Sequence, residues 1–279
     1  WLTGVEHSVR PSTFAFYGYM AKHVIEDENI GHMPLSRLTP ADVRAVMAVR
    51  HEEGYSPRTI RGIVDVLRMI LRQAVGDGLL ARNVAELVKR PQLDSAEPAH
   101  FTAKQARRFL DAAKGDNLFS LYAVALGTGL RRSELLALVW RDVALDRAVL
   151  MVRRSKTAAG VREVPLPPFA LSALAATPRG PGPIWPVSPW WVTRKTALLC
   201  ERAGLPRLTT HGLRHTAMTL MAEAGVSLEV RRWIAGHSRT DMTAFYSHEN
   251  DAAKRDAADR LEGILAGHGW TPQTAEGEA

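Results

Sequence analysis

The stretch RPQLDSAEPAH, from Arg90 to His100, carries two prolines and no apolar periodicity, and it cuts the chain into two parts that must each build a core. At 279 residues the chain is longer than the size at which a single core is the default. Lost periodicity around prolines is the profile of an interdomain linker. The expected organisation is therefore a first domain over residues 1–92, a linker over 93–100, a second domain over 101–267 and a flexible tail over 268–279. The end of that tail, TPQTAEGEA, has no means of forming a core.

The first domain reads as helical. Thr39 before Pro40, with Asp42 at the third helical position, is a capping-box start, and Ser56 before Pro57 repeats the logic. From there Ile60, Ile63, Val64, Leu67, Ile70, Leu71 and Val75 keep helical spacing up to Gly76, which reads as the stop. On the other side of this helix Arg58, Arg61, Arg68 and Arg72 make a basic stripe, interrupted by Asp65. Two readings of the stripe stand side by side: phosphate contacts that position a duplex without reading its sequence, or an ordinary solvated face.

The second domain changes pattern along its length. Thr102 with Gln105 opens a capped helix, and residues 118–126 are an apolar segment running into a Gly127–Gly129 turn. AVLMV (148–152) and VREVPL (161–166), on either side of RRSKTAAG, are β-rich and predict a hairpin. Five prolines and two glycines between 177 and 189 predict a surface loop. Helical patterns resume near 190 and include DAAKRDAADRLEGIL (251–265).

Composition narrows the chemistry. A formal net charge of +7 and a pI near 9.8 favour a polyanionic partner, although such an excess also fits many proteins without one. The single cysteine, Cys200, excludes an internal disulfide framework and most zinc-ribbon arrangements, and suits a reducing cytoplasm. No run approaches the ~18 apolar residues of a membrane span, and WLTGVEHSVR lacks the layout of a signal peptide. Trp1 is not a starting methionine, which fits either a longer chain or a processed terminus.

Six residues then form one chemical kit in sequence order: Arg131, Lys156, His211, Arg214, His237 and Tyr246. Breaking a DNA phosphodiester without a metal takes a nucleophile, positive charge on the non-bridging oxygens and an acid for the departing 5′ oxygen. Tyr246 is the nucleophile candidate, although a phenol with an ordinary pKa near ~10 needs a base or nearby cations to attack at neutral pH. Alone, it would read as a half-buried aromatic. Arg131 and Arg214 suit a phosphate clamp, because guanidinium forks bind phosphate oxygens bidentately and keep their charge. Arg131 also follows a Gly-containing turn at a helix start, where backbone N–H groups favour an anion. Thr209 and Thr210 could cap a helix on which His211 and Arg214, three apart, share a face. His211 and His237 are imidazoles able to donate to a phosphate or move a proton near neutral pH. His211 and His215 sit four apart, a zinc-chelating spacing, but HGLRHT lacks the glutamate of HExxH, and no metal is expected. Lys156, at the tip of the predicted hairpin, suits a general acid.

The local contexts TGLRRSELLAL, SKTAAGVREVPL, HGLRHT, GHSRTDM and FYSH resemble the boxes of the tyrosine recombinase (phage integrase) family. The resemblance implies a mainly α fold with a small antiparallel β-sheet: an N-terminal helical core-binding bundle and a tyrosine-recombinase catalytic domain. It assigns the clamp to Arg131 rather than Arg132, tyrosine activation to His211, a bond to the scissile phosphate to His237 and nucleophilic attack to Tyr246, with no cofactor. It also implies a double-stranded DNA core site, a homotetramer on synapsed DNA, an accessory DNA-bending factor in some members and action in a bacterial host cytoplasm. The C-terminal helix of members often docks onto a neighbour, a role residues 251–265 could fill; intramolecular packing is the alternative. One departure is Ala235, where the family usually has leucine before GHS. The leading expectation is an integrase of a phage or other mobile element. A chromosome-dimer-resolving recombinase, a type IB topoisomerase and a non-cutting DNA-binding protein of the same fold are the rivals.

Overall fold

The computed structural model describes residues 1–28, 30–93, 98–153, 161–236 and 248–265, with side chains from 252 onward in the last stretch. Two compact units emerge, Trp1–Ala96 and Glu97–Ala279.

In the first unit, after the short α1 (Leu2–Val5), α2 (Pro11–Ile25), α3 (Pro40–Glu52) and α4 (Pro57–Gly76) bury a common core of Ala21, Val43, Val46, Ile63, Leu67 and Leu71. The cap signals act as read. Thr39 accepts from the Asp42 amide while Asp42 accepts from the Thr39 amide at 2.8 Å, and Ser56 accepts from the Thr59 amide. Gly76 does not stop α4; it is its last helical residue, and the left-handed turn falls at Gly78, with φ +75°.

The second unit is built round α6 (Phe119–Thr128). Nine of its ten residues are buried, so the helix is apolar all round and neighbours cover it on every side. Before it comes α5 (Ala103–Ala113), started by the Thr102–Gln105 capping box. After it come α7 (Arg132–Leu135) and a three-stranded antiparallel sheet of β1 (Val143–Ala144), β2 (Val149–Val152) and β3 (Arg162–Pro165), ordered β1-β2-β3. The β2–β3 register pairs Val149 with Pro165 and Val152 with Arg162. The remaining helices are α8 (Pro168–Ala175), α9 (Pro189–Arg202), α10 (Thr210–Glu223), α11 (Leu228–Ala235) and α12 (His248–Leu265).

Two expectations change here. Gly127 lies inside α6 rather than in a turn, because α8 comes so close that a Cβ at 127 would sit 3.1 Å from the Ala170 Cβ; only Gly129 takes the left-handed cap, with φ +61°. The proline-rich segment 177–189 is not simply a surface loop. Ile184 and Trp185 are buried, the Trp185 indole donates to Ser120 Oγ at 3.0 Å, and the Ile184 amide donates to the Leu138 carbonyl at 2.9 Å. Finally, α12 packs within its own unit. It buries Ala257, Ala258, Leu261 and Leu265, its Glu262 accepts from the Phe169 amide at 2.8 Å, and Lys254 lies 3.8 Å above the Trp233 ring. Residues 252–265 thus pack against their own unit, as the intramolecular reading expects. Among the described residues no helix is long and apolar enough to cross a membrane.

Candidate active site

Two helices end at this site. α6 and α11 each close on a glycine in the left-handed region, Gly129 at φ +61° and Gly236 at φ +63°. Reversing the chain there turns the last carbonyls outward instead of continuing the helix, and helix C-termini carry partial negative charge that favours cations. Three arginines take up that offer. The consecutive carbonyls of Ile234, Ala235 and Gly236 accept from Arg162 Nε at 2.8 Å, Arg214 Nη2 at 2.8 Å and Arg131 Nη2 at 3.1 Å respectively. Arg214 also donates from Nη1 to the Gly129 carbonyl at 2.8 Å, so it ties both helix ends together.

Neither glycine can be replaced without displacing a neighbour. A Cβ at Gly129 would fall 2.4 Å from the Met218 Cε, and one at Gly236 would fall 2.6 Å from Arg162 Nη1.

Among the described residues a single buried carboxylate faces these cations. Glu134 accepts from Arg131 Nη1 at 2.9 Å and from the Arg131 amide at 2.9 Å, and it pairs with Arg162 at 3.3 Å, both partners of that pair being 2% exposed. Burial on its own would raise the Glu134 carboxyl, but the charge of Arg162 and the hydrogen bonds of both arginines outweigh it and hold it below the ordinary glutamate range. Arg214, 5% exposed, is pulled down to about 10 by burial first and by the charge of Arg131 second, which leaves it protonated at neutral pH. Among the described residues, three guanidiniums against one carboxylate leave an excess of positive charge, and Arg131, a third exposed, is its open face.

His211 belongs to the same group. It lies in the first turn of α10, whose N-cap Thr209 accepts from the Gly212 amide, and its ring is exposed. Its pKa is lowered by partial desolvation, then by the positive neighbours His215, Arg214 and Arg131, which favours neutral imidazole at pH 7. His215 stacks edge-on against His211, with centroids 4.7 Å apart. Among the described residues no third His, Cys, Asp or Glu joins them in a metal-binding group.

The structure thus brings Arg131, Arg214 and His211 together, whereas Lys156, His237 and Tyr246 lie outside the described residues. The anion-binding helix start read at Arg131 is corrected, since Glu134 takes its backbone amide and the attraction comes from the guanidinium. Arg132 points away, to Thr193 Oγ1 at 2.8 Å. In the first unit the basic stripe divides. Arg68 is committed to the Ala85 and Val88 carbonyls, at 3.0 and 2.6 Å, and closes the turn after α4 rather than facing a phosphate. Arg72 pairs with Glu86 at 2.9 Å and Arg61 with Asp65 at 3.8 Å, while Arg58 is exposed.

Glu134 and Arg162 were missed as site residues. Their signals were present: Glu134 is three residues after Arg131, and Arg162 occupies a buried register position of a strand in which Glu163 faces outward.

A sequence model described as "Phage integrase family" matches residues 99–178 and 188–253, more than half of the chain. A protein of Caldanaerobacter subterraneus subsp. tengcongensis named "Tyrosine recombinase XerC-like" is 24% identical, over 94% of this chain and 80% of its own. The Tn1549 transposon integrase in complex with transposon right end DNA superposes with a TM-score of 0.74 at 22% identity, over 90% of this chain and 96% of that one. A lambda integrase tetramer bound to a Holliday junction gives 0.72 at 20% identity, over 87% of this chain and 73% of that one. Two helix ends, three arginines and a buried glutamate therefore sit in a chain that belongs to the phage integrase family and is a site-specific DNA recombinase of the tyrosine class.

Proposed function

We propose that the protein cuts and rejoins DNA strands at double-stranded core sites through a 3′-phosphotyrosine on Tyr246. The observation that carries this reading is the convergence of Arg131, Arg214 and His211 at one excess of positive charge. Arg131 and Arg214 neutralise the non-bridging oxygens of the scissile phosphate and the charge that grows on them in the transition state. Neutral His211 takes the phenol proton as Tyr246 Oη bonds to phosphorus. His237 donates to the phosphate. As the bond from phosphorus to O5′ breaks, Lys156 supplies a proton to the departing 5′ oxygen. One phosphoester replaces another, so a 5′ hydroxyl from a second strand can reverse the step with no nucleotide cofactor.

Arg58, Arg61 and Arg72 fit backbone contacts to the duplex, with the last two released from exposed ion pairs worth little in water. The assembly on synapsed DNA is a homotetramer, an inference supported by the lambda integrase similarity. Residues 1–92 serve as the core-binding domain and 101–267 as the catalytic domain. The biological role is integration and excision of a phage or other mobile element, as the likeness to a transposon integrase favours. The XerC-like relative, which covers nearly all of this chain, favours a second reading, resolution of chromosome dimers. An assay on paired sites separates them: resolution recombines two identical sites, whereas integration needs two different ones.

The chemistry is tested by gel shift with and without SDS. Wild-type protein is expected to retain nicked duplex in detergent, and Tyr246→Phe to bind the same duplex yet release all of it. Detergent-stable DNA on Tyr246→Phe would remove Tyr246 as the nucleophile.

A further inference from the structure

Arg162 is used by none of the chemical steps above, yet it is among the most enclosed charges in the described structure, its side chain 2% exposed. A buried guanidinium is costly unless its donors are met. Here they close a ring. Arg162 Nε donates to the Ile234 carbonyl, its two Nη atoms face the two Glu134 oxygens at 3.5 and 3.3 Å, Glu134 accepts from Arg131, and Arg131 returns to the Gly236 carbonyl. That circuit joins β3, α7 and the end of α11, segments far apart in sequence. Between its two carbonyls lies that of Ala235, which holds Arg214. The Arg162 guanidinium lies directly against Gly236, where a Cβ would come within 2.7 Å of its Cζ. A larger group at either place opens the ring.

We propose that Arg162 is a positioning residue for strand cleavage: through Glu134 and the Ile234–Gly236 turn it sets where the Arg131 and Arg214 forks meet the scissile phosphate. The inference rests on the clamp reading of those two arginines. It differs from a purely structural ion pair in one respect. Losing Arg162 changes the rate of the chemical step per folded molecule, because a guanidinium displaced by about 1 Å costs roughly a hundredfold in rate.

The test is single-turnover cleavage of a nicked duplex at saturating protein, with duplex affinity and melting temperature measured alongside. Arg162→Met is expected to bind duplex like the wild type and to cleave about a hundredfold more slowly per folded molecule. Arg162→Lys keeps the buried charge and guards against failure to fold. It lacks the fork that spans two oxygens and a carbonyl, so its melting temperature is expected near that of the wild type and its rate to stay depressed. The double variant Arg131→Ala/Arg162→Met is expected to be slower than Arg131→Ala alone, through Arg214, but by less than the full Arg162→Met loss, since the part of that loss that acts through Arg131 is already taken. Wild-type rates in Arg162→Lys, or a double variant showing the product of the two single losses, would overturn the proposal and leave a core ion pair. Should Arg131→Ala itself cleave like the wild type, the clamp reading falls and this inference with it; a slow Arg131→Ala beside a fast Arg162→Met removes this inference alone.

Discussion

At the scale of single residues, the site works by holding like charges close together in a dry place. Arg131, Arg162 and Arg214 would repel one another, and burial already lowers the pKa of Arg162 and Arg214. Two features offset this: carbonyls at helix C-termini, and one carboxylate kept ionised between two of the three arginines. Removing the carboxylate leaves Arg162 buried with its counter-charge gone. Glu134→Ala is therefore expected to lose about 3–5 kcal/mol of stability in urea denaturation at pH 7. The pH dependence follows from the direction of its shift. The folded carboxyl titrates below the unfolded one, so the stabilisation is full above the ordinary glutamate pKa and disappears as pH falls through the lower folded value. The gap between wild type and Glu134→Ala should thus shrink on acidification below about pH 4; a gap that stays constant down to pH 2 would contradict the assignment.

At the scale of elements, the site depends on how α6 and α11 stop. Gly129→Ala places a side chain at φ +61° and a Cβ against Met218. It is expected to cost roughly 1–2 kcal/mol for the left-handed backbone alone, and to slow cleavage further as the carbonyl that holds Arg214 moves. Melting curves and single-turnover rates on the same samples check both, and an unchanged rate would detach the α6 cap from catalysis. Where structure is set by neighbours in sequence, the sequence was readable: the caps at Thr39, Ser56, Thr102 and Thr209 all form as the residue types dictate. The β2–β3 hairpin was legible from two β-rich runs on either side of a polar loop, whereas β1, two residues long, carries no period to detect. Misreadings arose where tertiary packing decides. Gly127 reads as a turn glycine until α8 is seen to need its bare Cα, and the proline-rich 177–189 gives no local hint that Trp185 reaches Ser120. Arg68 reads as one of a stripe, yet its partners, the Ala85 and Val88 carbonyls, lie 17 and 20 residues further along the chain.

At the scale of the whole molecule, a basic chain divides into two units with separate cores, and every described catalytic candidate falls in the second. Motif spacing brought Arg131, His211 and Arg214 forward as a set because the chemistry demands them, and the structure adds why they meet: three consecutive carbonyls gather three arginines from three elements. Glu134 and Arg162 stayed hidden because the local signals they carry, a spacing of three from Arg131 and a buried strand register, say nothing of the pairing across the fold that gives them their role. The proposed chemistry is a tyrosine–DNA bond made with the help of those arginines. Its most direct test is to trap the protein on a nicked core duplex, digest the DNA and the chain, and map the nucleotide-bearing peptide by mass spectrometry. The account requires a phosphonucleotide on Tyr246, lost in Arg214→Ala. An adduct on any other residue, or one that persists undiminished in Arg214→Ala, would contradict it.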